Sequence, residues 1–181
     1  VARCHPPSGR CIQKPYGDDY DYDIYERYFS GEMVSADSMK VDTTALFYTM
    51  KGRRVYGGGG IIPDIFVPID TTRATSFYIN CNKKAVQMRF ASTMFDKYRS
   101  TLADIDDFSA LEGWIESIDL EQQFLDYAAS VARLTPKQGE WEATKDYMMP
   151  QLKALVGRYS RLDDEAFYRF YLPIDETIQA A

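Results

Sequence analysis

One histidine and three cysteines in 181 residues leave little material for metal or imidazole chemistry. Cys4, Cys11 and Cys81 follow no zinc-ligand spacing, and His5 alone cannot complete a Cys/His set. Excess positive charge is lacking too: 21 Lys and Arg stand against 27 Asp and Glu, for a net charge of −6 and a pI near 4.9. That field repels phosphate backbones, so nucleic acid is not an expected partner. No apolar run approaches the ~20 residues that span a bilayer, and no signal-peptide pattern is present.

What is abundant is apolar and aromatic material, at 45% and 14% of residues, enough for a globular core. The most distinctive stretch is Tyr56-Gly57-Gly58-Gly59-Gly60-Ile61-Ile62-Pro63-Asp64. Each glycine costs about 0.5–1 kcal/mol against alanine in regular structure, so the run implies tight geometry or close approach of another segment. A phosphate cradle would need Gly-Lys-Ser/Thr and a helix after the glycines; Ile61-Ile62-Pro63 follows instead. The run reads as a place where one strand passes close beneath another before turning into a sheet.

Residues 1–14 read as strand, turn, strand, with Pro7-Ser8-Gly9 as the turn. A four-residue turn would set Cys4 opposite Cys11, where a disulfide is sterically conceivable; the alternative is two buried thiols. Residues 16–32 are acidic and aromatic, with Tyr22, Tyr25 and Phe29 at helical spacing and aspartates ahead of them at the helix start. The arms around Lys51-Gly52 predict a second hairpin. From Ile61 to Ile69 the chain reads as extended, with Pro63 and Pro68 permitting at most an edge strand.

Beyond residue 70 the periodicity is helical. Val86, Phe90, Met94 and Tyr98 predict a helix over 83–101, and Asp107 or Ser109 opens a shorter one with Leu111, Trp114 and Ile115. Asp119 caps a helix carrying Leu120, Phe124, Tyr127 and Val131. Thr135-Pro136 reads as a cap with proline at the first helical position of a long segment that Pro150 kinks or divides. A last short helix begins near Pro173. The fold class is therefore α+β, with residues 1–70 β-rich and 71–181 helical, and no internal repeat.

Residues of chemical interest have plainer readings. Asp19, Asp21 and Asp23 alternate as in a calcium loop, but its glycine at the sixth place and glutamate at the twelfth are not jointly met from either start, so they read as a solvated helix start. His5 sits in a proline turn without a nucleophile elbow near it. Tyr20, Tyr22, Tyr25 and Tyr28 read as a packing face with wet hydroxyls rather than a stacking platform. Asp106-Asp107 and Asp163-Asp164 stand where helix caps fall. No catalytic, cofactor-binding or metal-binding residue is assigned.

Two blocks, Pro7-Ser8-Gly9-Arg10-Cys11-Ile12-Gln13 and Gly60-Ile61-Ile62-Pro63-Asp64-Ile65-Phe66-Val67, resemble the paired blocks that follow the catalytic region in carboxyl-terminal processing (tail-specific) serine peptidases. The family patterns are Tyr-Thr-Pro-Ser-Gly-Arg-x-Ile-Gln and Gly-x-Gly-Ile-x-Pro-Asp-Ile-x-Val. About 46 residues separate the blocks here, and the tyrosine-rich insertion over 14–50 is similar to that of Bacteroidetes-type members, as is the helical tail. Cys4-His5-Pro6 departs from the family's Tyr-Tyr-Thr, and Cys11 stands where serine is common.

The resemblance implies a periplasmic or envelope serine endopeptidase that processes or degrades proteins from their C-termini. Its serine nucleophile, lysine base and assisting glutamine precede the first block and would lie before Val1; Gln13 is not that glutamine. The start at Val1-Ala2-Arg3, without methionine, suggests a piece of a longer precursor. The implied partners are the upstream peptidase core and PDZ module of the same chain and protein or peptide substrates. A homo-oligomer is a further expected partner, since an unpaired sheet edge is open to a second copy. The rival reading is a non-enzymatic protein- or glycan-interaction module built on the tyrosine-rich insertion and the helices.

Overall fold

The computed structural model describes residues 3–14, 17, 20–39, 42–58 and 60–181. The side chains of Asp21 and Ile24 lie outside that description, as do Val1 and Ala2 of the first arm, Tyr16, Asp19 of the alternating aspartates, and Gly59. The fold is α+β: eight α-helices and one two-stranded antiparallel sheet among the described residues. The chain divides into two compact units, Val1–Ile69 and Asp70–Ala181.

In the first unit a 3-10 turn at Tyr20–Tyr22 leads into α1 (Asp23–Phe29). A second 3-10 turn, Ala36–Ser38, precedes the hairpin of β1 (Leu46–Tyr48) and β2 (Arg54–Tyr56), in which Phe47 pairs with Val55. Its tip closes as the glycine requires: Gly52, at φ 78°, donates its N–H to the Thr49 carbonyl at 2.9 Å, and Thr49 N–H donates to Arg53 O at 2.9 Å.

Of the hairpin expected over residues 1–14, the described residues form the turn and one bond across the arms, Ile12 N–H to Cys4 O at 3.4 Å. Gly9 N–H donates to Pro6 O at 2.8 Å, but no strand is present among residues 3–14. Pro6 and Pro7 remove two ladder donors, and Cys4 N–H goes to the Gln13 side chain at 3.0 Å instead of a facing carbonyl. Residues 61–69 form no strand either; Ile69 N–H donates to Met33 O at 3.0 Å.

The helical unit contains α2 (Ser76–Lys83), α3 (Val86–Asp104), α4 (Phe108–Ser117), α5 (Leu120–Ser130), α6 (Glu140–Gly157), α7 (Asp164–Tyr171) and α8 (Glu176–Ala180). Its core is aromatic at the centre: Phe124 meets Phe90 at 5.3 Å, Trp141 at 6.1 Å and Phe77 at 6.5 Å between ring centroids. Around the rings, Met94, Leu102, Leu111, Met148 and Leu152 are almost fully enclosed. Where α6 meets α7, Gly157 permits the approach, since a Cβ there would stand 3.3 Å from Ala166 Cβ and 3.2 Å from Leu111 Cδ2.

Several helix ends differ from the sequence expectation. The helix expected over 83–101 is α3, running 86–104 after Ala85 at φ 50°; α2 before it was unforeseen and is capped by Thr75, whose side chain accepts from Tyr78 N–H. The long helix starts not at Thr135-Pro136 but at Glu140, after Gly139 at φ 79°, and the Glu140 carboxylate reaches back to Lys137 N–H at 2.8 Å. Nor does Pro150 divide α6. Trp141, Thr144 and Met148 on one side of it and Leu152, Ala154 and Val156 on the other are all buried, and that burial outweighs the ~3 kcal/mol an interior proline costs. The helix expected near Pro173 is a 3-10 turn, Leu172–Ile174, followed by α8.

Candidate functional site

The first sequence block meets the end of β2 and the start of the glycine run at Arg10, Tyr56 and Gly57. Arg10 Nη1 donates to the Tyr56 carbonyl at 2.9 Å, tying the first turn to the end of β2. Gly57 N–H continues the hairpin by donating to Ala45 O at 2.9 Å. A Cβ on Gly57 would fall 2.9 Å from Phe47 Cε2 and 3.6 Å from Arg10 Cβ, so only glycine passes there without displacing the ring. Gly58 and Gly60 serve differently, at φ 92° and 126° with no close neighbour to a Cβ at Gly60. Among the described glycines of the run, the close approach is at Gly57, and what it approaches is the Phe47 ring.

Asp64, of the second block, forms an ion pair with Arg53 at the hairpin tip, and this hydrogen-bonded guanidinium holds its carboxyl below the ordinary range. The Pro6–Gly9 turn and that tip together flank an open groove of about 460 Å³, lined by Pro6, Pro7, Arg10, Met50, Lys51 and Arg53 among others. Arg10 Nε is buried there without a hydrogen-bond partner among the described residues. His5 Nδ1–H donates to Gly9 O at 3.1 Å, the tautomer a carbonyl acceptor demands, and the residue is exposed.

A second, polar cleft of about 280 Å³ is lined by Lys14, Asp23, Glu26, Arg27, Ser30 and Glu32, with Gly58 at its edge. Lys14 pairs with Asp23, and Arg27 with Glu32 at 2.7 Å. Asp23 and Glu32 thus each meet a cation, while Glu26 has no ion-pair partner among the described residues. In the helical unit, Tyr78, Tyr147, Gln151, Leu155, Phe167 and Tyr171 line a cleft of about 250 Å³, and burial pushes the Tyr147 phenol up to about 12.

The remaining sequence candidates hold the fold together. Asp107 accepts from Ser109 N–H at 2.9 Å and Ala110 N–H at 3.2 Å, as a helix cap does. Asp163 precedes α7 at φ 45°, and Asp164 pairs with Arg158 at 2.6 Å. The cysteines are all free: Cys4 exposed, Cys11 half-buried, Cys81 enclosed with its thiol pushed up to about 11 by burial. Cys4 and Cys11 are thus neither bridged nor two buried thiols, because the arms that would align them form no ladder.

The aromatic stripe is the largest departure. Tyr22, Tyr25 and Phe29 are 68%, 62% and 82% exposed, so residues 20–29 present rings to solvent instead of packing them. The groove was missed because its walls come from two turns far apart in sequence; the clue was three cations, Arg10, Lys51 and Arg53, in turn segments of an acidic chain. No protein family, curated protein or solved structure matches this chain.

Proposed function

We propose that this chain is the C-terminal part of an envelope serine endopeptidase of the carboxyl-terminal processing type. Residues 1–69 form a layer that closes onto a catalytic core supplied by preceding sequence, and the helical unit braces it. One observation carries the reading. Every buried apolar residue among those described lies at Phe77 or beyond, while the first unit, which holds both sequence blocks, leaves Leu46, Tyr48, Ile61, Ile65 and Ile69 exposed. A segment with its apolar side chains outward and no interior of its own lacks the burial that would offset chain entropy. It acquires an interior by packing on another surface.

In that arrangement the serine, the desolvated lysine that activates it and the assisting glutamine all belong to the core, and the PDZ module there presents protein or peptide substrates. Residues of this chain supply sheet edge and packing surface. The 181-residue chain alone should hydrolyse no peptide, whereas the same chain joined in frame to a preceding serine- and lysine-bearing core should. Cleavage by the isolated chain, abolished by a substitution within it, ends this reading.

The outward rings of Tyr22, Tyr25 and Phe29 favour a second reading, an aromatic contact surface for a protein partner. Replacing Tyr22, Tyr25 and Phe29 together by serine should leave thermal unfolding unchanged if they are contacts, and lower it by several degrees if they are packing.

A further inference from the structure

Two unabsorbed features of the first unit complement each other. The groove between the Pro6–Gly9 turn and the hairpin tip has an apolar floor of Pro6, Pro7 and Met50, the last 90% exposed. Arg10, Lys51 and Arg53 line it, Arg53 being paired with Asp64, on a chain whose net charge is −6. Lys51 has no ion-pair partner among the described residues. The opposite chemistry lies in residues 16–32, where six carboxylates stand against Arg27 alone and the rings of Tyr22, Tyr25 and Phe29 face outward.

We propose that two copies of this chain associate through this unit, α1 of each copy seating its rings in the basic groove of the other. The exchange is reciprocal, so a two-fold axis closes it and no open polymer follows. Rings meet the proline and methionine floor, while Glu26, which has no ion-pair partner among the described residues, meets Lys51. Apolar contact and opposite charge then act at one place. Tyr25 and Phe29 of each copy, at about 150–250 Å² apiece, make this a contact of the weak, reversible class. Coulomb attraction between exposed groups makes it sensitive to salt. The inference rests on the second reading above and names the occupant that the aromatic surface meets.

Sedimentation equilibrium of the 181-residue chain tests it. A monomer–dimer equilibrium is expected, weakened several-fold at high ionic strength. Met50→Ser with Lys51→Glu in the groove, or Tyr25→Ser with Phe29→Ser on the helix, should each weaken association at least tenfold with the helical circular dichroism unchanged. Mixing Lys51→Glu with Glu26→Lys should recover association that Lys51→Glu alone has lost. A chain that stays monomeric at every concentration and ionic strength overturns the proposal, as does a dimer indifferent to either pair of substitutions. The thermal test of the triple-serine variant stands apart: unchanged unfolding beside a monomeric chain removes this dimer and keeps the outward aromatic surface.

Discussion

Truncating Phe124 to alanine empties the centre of the helical core. The side chain is fully enclosed and touches the rings of Phe77, Phe90 and Trp141. Loss of its transfer free energy together with the cavity left behind costs about 3–5 kcal/mol, and the edge-to-face contact with Phe90 adds to the upper end of that range. A domain of about a hundred residues holds ~5–15 kcal/mol in total, so the loss is a large share of it. At about 4–8 °C per kcal/mol, Tm falls by more than ~10 °C. The assay is thermal unfolding followed by helical circular dichroism, with Tyr25→Ala as the companion. Tyr25 is 62% exposed, and its truncation should fall within about ±0.5 kcal/mol of zero. A Phe124→Ala protein that melts within a few degrees of the parent, or a Tyr25→Ala protein that falls as far, would refute the division into a cored and an uncored unit.

Two further outcomes follow from particular groups. With a thiol reagent on the folded chain, Cys4 should react fast and Cys11 more slowly, while Cys81, enclosed and with its thiol at about 11, should react only on unfolding; rapid modification of all three would contradict the core placement. Hydrogen bonds from Lys145 and then Trp141 hold the Glu121 carboxyl below its ordinary 4.5, so its contribution is fully present above that pH and is lost as pH falls through the lowered value. Parent and Glu121→Gln should therefore differ in Tm at neutral pH and converge in acid, and a gap that widens on acidification would reverse the assignment.

How far the sequence revealed this structure depended on whether a segment buries its own pattern. The stripe of Val86, Phe90 and Met94 and the caps at Asp107 and Asp119 were legible, because periodicity and capping chemistry act locally. Ser76–Lys83 was not, since Phe, Ile, Cys and two Asn are weak helix formers and the helix is held by burying Phe77 and Cys81. Tyr98 fell on the stripe yet takes φ −118° and ψ 24°, where α3 kinks. Helical spacing at Tyr22, Tyr25 and Phe29 predicted the helix correctly but not its exposure, because a stripe says which residues share a face and not what covers it. The meeting of Arg10 with Tyr56, and the groove beside it, depends on chain segments more than forty residues apart and left no local pattern to read.

Hydrogen exchange across the first unit tests the central claim most directly, measured on this chain alone and on the chain joined in frame to the preceding catalytic core. Alone, the amides of β1, β2 and residues 61–69 should exchange far faster than those of α3 and α6, which are strongly protected. With the core attached, protection should spread to the hairpin and to residues 61–69. Strong protection there in the isolated chain, or none gained with the core present, would contradict the account.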